Sequence, residues 1–255
     1  LPIGCVLTLP ATGSETNGGA VVSRGHDKLF FGSALVKPTF AILDPQTTLR
    51  LSPRQVSNGV VDAFVHTMEQ YLTFPVNAKV QDRFAEGLLL TLIEEGPKAL
   101  ATPDDIAVRA NIMWSATQAL NGLIGVGVPQ DWATHMIGHE LTGNYSIDHA
   151  RTLSIVLPAV MQVCRKEKQA KLVQYAERVF GITNGTTDER IDAAIARTIA
   201  FFKEMDVPTS LADVELGTAD IDVLVASLEK HGRTALGEHG KLTIADSRKI
   251  LETAL

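Results

Sequence analysis

The chain has 255 residues, a net charge of −6, 45% hydrophobic residues and 20% charged ones, which is the balance of a soluble globular core. No basic stripe is available to neutralise phosphates, which argues against nucleic acid as a partner, and no apolar run reaches the length of a membrane span. Cys5 and Cys164 cannot form a disulfide framework and lack metal-type spacing, and the amino terminus does not read as a signal peptide, so a cytoplasmic location is expected.

The first fifty residues read as β structure. CVLTLP is a short strand, GGAVVSRG and KLFFGSALV form a hairpin turning at Gly25-His26-Asp27, and TFAILDP is a strand ended by Pro45. Between the first strand and the hairpin lies the polar, glycine-rich ATGSETNGG. Its hydroxyls and backbone N–H groups suit phosphate or ribose, although such a loop is usually just a turn.

Beyond Leu49 the period becomes helical. Ser52-Pro53 is a cap and first-turn pair opening a helix to about Leu72, with Val56, Val60, Phe64 and Met68 recurring every four positions. A second helix is expected over 79–95, and a third opens at Thr102-Pro103-Asp104-Asp105 and ends near Gly122. A helix carrying His135 and His139 follows, with a break at Thr142-Gly143-Asn144. Pro158 sits inside or at the start of the next helical stretch, and amphipathic helices are predicted over 166–180, 188–205, 218–230 and 243–253. The fold class is mainly α: a helical bundle domain (49–255) preceded by a small β element of strand, hairpin and strand (1–48).

The strongest chemical signal lies in four side chains. Asp62 and His66 are four apart, so a helix places them on one face one turn apart. His135 and His149 are expected on neighbouring elements that converge. One carboxylate and three imidazoles make a first shell for Zn²⁺ or Fe²⁺. Taken singly, a buried histidine bonded to a carbonyl, or an aspartate paired to another helix, is the ordinary alternative. His135 and His139 also form an H-x-x-x-H pair, but the zinc-protease pattern fails because Met136, Ile137 and Gly138 intervene. Glu69, two turns from Asp62, reads as either a partner of the site or a structural cap or salt bridge, with the structural role favoured.

The segments LTLPATGSE, AILDP with GVVDAFVHTMEQ, and HMIGHELTGNYSIDH resemble the iron-containing (group III) alcohol dehydrogenases, along the length of the chain. The likeness is nearest to the butanol-dehydrogenase type and its NADPH-dependent aldehyde reductases. Two departures stand out. The family has Pro-His-Gly around the last ligand, where this chain has Asp148-His149-Ala150. The family also has glycine three residues after the second histidine of the pair, where here Gly143 comes four after His139. The chain starts at Leu1 without an initiator Met, and its glycines form no G-x-G-x-x-G loop. It is therefore expected to be the metal-binding portion of a longer enzyme, its residues 1–48 a remnant of the cofactor-binding domain whose amino-terminal dinucleotide-binding half is absent.

The resemblance implies an NAD(P)-dependent alcohol dehydrogenase or aldehyde reductase. Its implied metal ligands are Asp62, His66, His135 and His149, with Zn or Fe as the ion. His139 is implied near the nicotinamide as a proton relay, a second metal ligand or packing residue being the alternative. Thr8, Thr12, Asn17, Lys28, Thr47 and Leu49 are implied to contact the cofactor, NADP(H) in preference to NAD(H). Phe64, Trp132 and Met136 are expected along the substrate pocket by adjacency. The expected partners are a small aldehyde or alcohol and a second copy of the chain. Two competing readings are a catalytically silent metal-binding helical domain and, more remotely, a lyase of the dehydroquinate-synthase kind, which would need more basic side chains near the metal.

Overall fold

One buried helix organises the molecule, whose computed structural model describes residues 2–255. In α1 (Pro53–Tyr71) the Ser52 side chain accepts from Gln55 N–H while the Gln55 side chain accepts from Ser52 N–H, a closed capping box with Pro53 in the first turn. From Val56 onward every residue of α1 except Asn58 is buried. The sequence shows a stripe, but α2 (Lys79–Ala101), α3 (Ile106–Leu120) and α5 (His149–Val163) surround the helix. Polar residues on α1, Asp62, His66, Glu69 and Gln70, are thereby drawn into the interior.

The other helices are α4 (Ala133–Tyr145), α6 (Gln169–Phe180), α7 (Thr187–Glu204), α8 (Thr218–Lys230) and α9 (Ile244–Thr253). Two apolar cores form. One gathers α1, α2, α3, α6 and α7 with one face of α5, through Phe64, Leu89, Leu153, Tyr175 and Phe202. The other gathers α4, α8 and α9 with the opposite face of α5, through Ile137, Val156, Leu224 and Ile250. Each fully buried large side chain contributes roughly 1.5–3 kcal/mol.

The β element is small. Strands β1 (Gly4–Val6) and β4 (Phe40–Ile42) pair in parallel, and β2 (Gly19–Arg24) and β3 (Asp27–Gly32) form a separate antiparallel hairpin. The mainly helical class with an amino-terminal β element is as the periodicities predict. Two boundaries differ. The expected break at Thr142-Gly143-Asn144 is helical: α4 runs through to Tyr145, and the chain turns at Ser146 in the left-handed region (φ 56°). Its own i→i−4 bonds and the fit of Gly143 against the hairpin outweigh the weak helix propensity of those residues. Helix α2 also passes its expected end at Glu95, continuing through Pro97 to Ala101, and Pro158 lies inside α5. No helix among the described residues is long and apolar enough to cross a membrane.

Candidate metal centre

Three helices bring the four side chains together. α1 presents Asp62 and His66 one turn apart on its inner face. The Asp131 carboxylate accepts from Ala133 N–H at 2.7 Å and starts α4, which sets His135 opposite them. His149 is the first residue of α5. Gly138 allows α4 and α5 to touch, since a Cβ there would stand 2.8 Å from Thr152 Oγ1 and 3.0 Å from Leu153 Cδ2.

The Nε2 atoms of His66, His135 and His149 lie 3.7, 3.8 and 3.7 Å from Asp62 Oδ1. These distances are too long for hydrogen bonds. A tetrahedral ion with ligands at about 2.0–2.2 Å separates its donors by roughly 3.3–3.6 Å, a few tenths closer than observed. The donors of Asp62, His66 and His135 all fall within 4.8 Å of one another. Asp62 Oδ1 and His135 Nε2 are buried without a hydrogen-bond partner, a costly condition that a shared cation would relieve. The donor set and spacing therefore fit a divalent ion. His149 occupies the open side, with its side chain 25% exposed.

Electrostatics follow from burial and charge. Burial opposes ionisation of Asp62, but His66, His135 and His149 outweigh it and hold the carboxyl well below the usual range. Burial depresses His66 to about 4 and His149 to about 3, leaving both neutral and able to ligate. His135 differs: burial opposes its charge, yet Glu69 and Asp62 raise it to about 9. His139 lies among the same rings, centroids 5.1 Å from His149 and 6.2 Å from His135. Burial pushes it down to about 2, and the crowding of the His149 and His135 rings and the charges on Lys28 and Arg233 act in the same direction.

The surrounding residues matter as much as the donors. Glu69, given a structural role by the sequence, grips His135 twice: its carboxylate accepts from the ring Nδ1 and, at 3.1 Å, from the backbone N–H. This fixes the tautomer that turns Nε2 toward Asp62. Its seven-residue spacing from Asp62 was the available signal. Asp148, the departure from the family pattern, accepts from Arg54 at 2.6 Å and Asn58 at 2.8 Å, tying the start of α5 to α1 beside His149. Nothing in the sequence paired Asp148 with residues ninety positions away.

The residues expected to meet a cofactor lie on the β element and its loops. Thr8 and Thr12 are exposed, and Leu49 is partly so. Asn17 spends its amide within its own loop, on the Thr12 carbonyl (3.0 Å) and the N–H of Gly19, and on the Leu120 carbonyl at the end of α3 (3.2 Å). Thr47 Oγ1 lies 2.7 Å from the carbonyls of both Leu7 and Asp44. Both are braces of the loop as the structure stands. Lys28 is partly buried, its charge acting on Asp62, His139 and His149. Of the expected pocket residues, Trp132 lies edge-on to His66 and His135 at 6.2 and 5.4 Å, and Met136 is partly exposed one turn before Glu140. Phe64 is not at the site. It is fully buried against Phe201 and Phe202, because its position on α1 faces the α7 side.

Residues 56–255 match the family model described as "Fe-containing alcohol dehydrogenase family, C-terminal". The chain is 64% identical over its whole length to the NADPH-dependent aldehyde reductase YqhD of Escherichia coli and 37% identical to a probable NADH-dependent butanol dehydrogenase of Bacillus subtilis. It spans 66% of the length of each. Crystal structures of E. coli YqhD and of the NADH-dependent butanol dehydrogenase A of Thermotoga maritima superpose with TM-scores of 0.98 and 0.94, at 63% and 34% identity. All of this chain and 66% of each of those are covered. The chain thus belongs to the iron-containing alcohol dehydrogenase family, of which it carries the C-terminal helical domain.

Proposed function

We propose that the chain is the metal-binding portion of an NADPH-dependent aldehyde reductase, acting also as an alcohol dehydrogenase in reverse. The observation that carries this reading is the approach of three imidazole nitrogens to one buried, unpartnered carboxylate oxygen at 3.7–3.8 Å. The preference for NADP(H) rests on the 64% identity to a protein described as NADPH-dependent. When bound at Asp62, His66, His135 and His149, Fe²⁺ or Zn²⁺ would polarise a carbonyl oxygen toward hydride from the nicotinamide.

The chain's own residues supply the rest. Asp62 contributes the single negative charge of the ligand set, and Glu69 holds the His135 tautomer. Trp132 offers an aromatic wall beside His66 and His135. His139, next to the ligands but outside them, is placed to hand a proton to or from the reacting oxygen, directly or through water. Lys28 sets a positive charge near Asp62, His139 and His149, suited to a cofactor ribose, and Thr8 and Thr12 are exposed on the segment between β1 and β2.

The test is elemental analysis of the full-length enzyme and its His66→Ala and Asp62→Ala variants, beside turnover of a short aldehyde with NADPH. Near-stoichiometric metal with NADPH oxidation in the parent, and loss of both in the variants, is expected. Full metal occupancy in either variant overturns the ligand assignment. Stoichiometric metal in the 255-residue chain by itself, without turnover by either nicotinamide, would favour the reading of this portion as a silent metal-binding domain.

A further inference from the structure

The β2–β3 hairpin has few means of holding itself in place. It is a lone two-stranded ribbon, which is marginal in water, and Val22, Leu29 and Phe30 on it are exposed. Its position is set where its turn meets the helices. His26 Nδ1 lies 3.0 Å from the Gly143 carbonyl, and Gly143 makes room, since a Cβ there would come within 2.2 Å of His26 O. Asp27 bonds Lys230 (2.7 Å) and His231 (3.0 Å). The Lys28 carbonyl accepts from Arg233 Nη2 at 3.0 Å.

Arg233 is the shared element. Its side chain is only 10% exposed. Nη1 donates to the Met136 carbonyl at 2.8 Å and to Glu140 at 3.0 Å, both on α4, while Nη2 reaches the hairpin. Glu140 is itself buried and held by Ser227 (2.6 Å) and His231 (2.9 Å). A planar fork with fixed donors thus fastens the backbone at Lys28 to the helix that carries His135 and His139. A lysine could not make the same three bonds from one rigid plane.

We propose that Arg233 is a positioning residue: it acts through the Lys28 carbonyl to fix where the Lys28 ammonium stands at the metal centre. This rests on Lys28 being a cofactor contact. The experiment is a double-mutant cycle in the full-length, metal-loaded enzyme with Lys28→Ala, Arg233→Lys and the double variant. The readings are the NADPH dissociation constant by fluorescence titration, KM and kcat separately, metal content and the unfolding midpoint. Arg233→Lys is expected to weaken NADPH binding about 10-fold with metal retained, and to add less than about 2-fold when Lys28 is already alanine. Equal weakening in both backgrounds overturns the positioning role and leaves Lys28 as a cofactor contact. An unchanged dissociation constant in Lys28→Ala overturns the Lys28 reading, and the inference with it. If Arg233→Lys unfolds below the assay temperature, Arg233→Gln, a smaller and uncharged donor, carries the same cycle.

Discussion

Glu69 offers the most exacting test of the centre. It contributes no donor to the proposed ion, yet it holds His135 by two bonds from a side chain that is 3% exposed. Replacing it by alanine frees the ring to rotate and leaves Nδ1 and the His135 N–H unpaired in the interior. Nε2 then no longer rests in the orientation that puts it 3.8 Å from Asp62 Oδ1. Loss of such an outer partner typically costs about 10–100-fold in metal affinity, or roughly 1.4–2.8 kcal/mol. Two lost bonds place Glu69→Ala toward the upper end. Glu69→Gln keeps one carbonyl acceptor and can serve the ring or the backbone but not both, so about 10-fold is expected. Competition with a chromophoric chelator at fixed pH measures both constants. Wild-type affinity in Glu69→Ala would refute the argument that the carboxylate organises His135.

Three further outcomes follow from the same geometry. His139→Ala should keep its metal and lose turnover by about 10²-fold, near the low end for one acid–base group, whereas His149→Ala should lose metal; the reverse pattern in metal content would show that the fourth ligand is His139. Asp148→Ala should lower metal affinity about 10-fold by releasing the start of α5 from Arg54 and Asn58. Its unfolding midpoint should barely move, because an ion pair this exposed is worth about 0–1 kcal/mol, and an unchanged metal affinity would return the trio to mere surface pairing. His231 is raised from its usual range by its bond to Glu140, and further by Asp27, with Lys230 and Arg233 facing the same carboxylates. A raised folded value means its stabilisation is fully present below the unfolded value of about 6.5 and fades as pH rises through the folded one. The gap in unfolding midpoint between wild type and His231→Gln should therefore be widest near pH 6 and narrow in alkali; a gap independent of pH would count against the charged bridge.

Local sequence determined the secondary structure to within a few residues at most ends. Ser52-Pro53 with Gln55 closes a capping box wherever the helix ends up, and Thr218–Lys230 reads as one amphipathic helix from its own period. The i, i+4 spacing of Asp62 and His66 needed nothing beyond helical geometry to share a face. The convergence of His135 and His149 from neighbouring elements was expected from the donor set, but most other decisions made between elements lay beyond reach. Thr142, Gly143 and Asn144 look like a loop until the hairpin backbone is seen resting on Gly143. Phe64 and Asp62 sit two positions apart on one helix. Only the packing of α7 against one side and α4 and α5 against the other makes the first a core residue and the second a member of the proposed metal centre. Glu69, Asp148 and Arg233 acquire their roles from partners 66, 94 and 205 positions distant in the chain. Short-range periodicity reports which face of a helix is apolar. It carries no information about which distant polar group will be desolvated beside it, and that choice rests with tertiary structure.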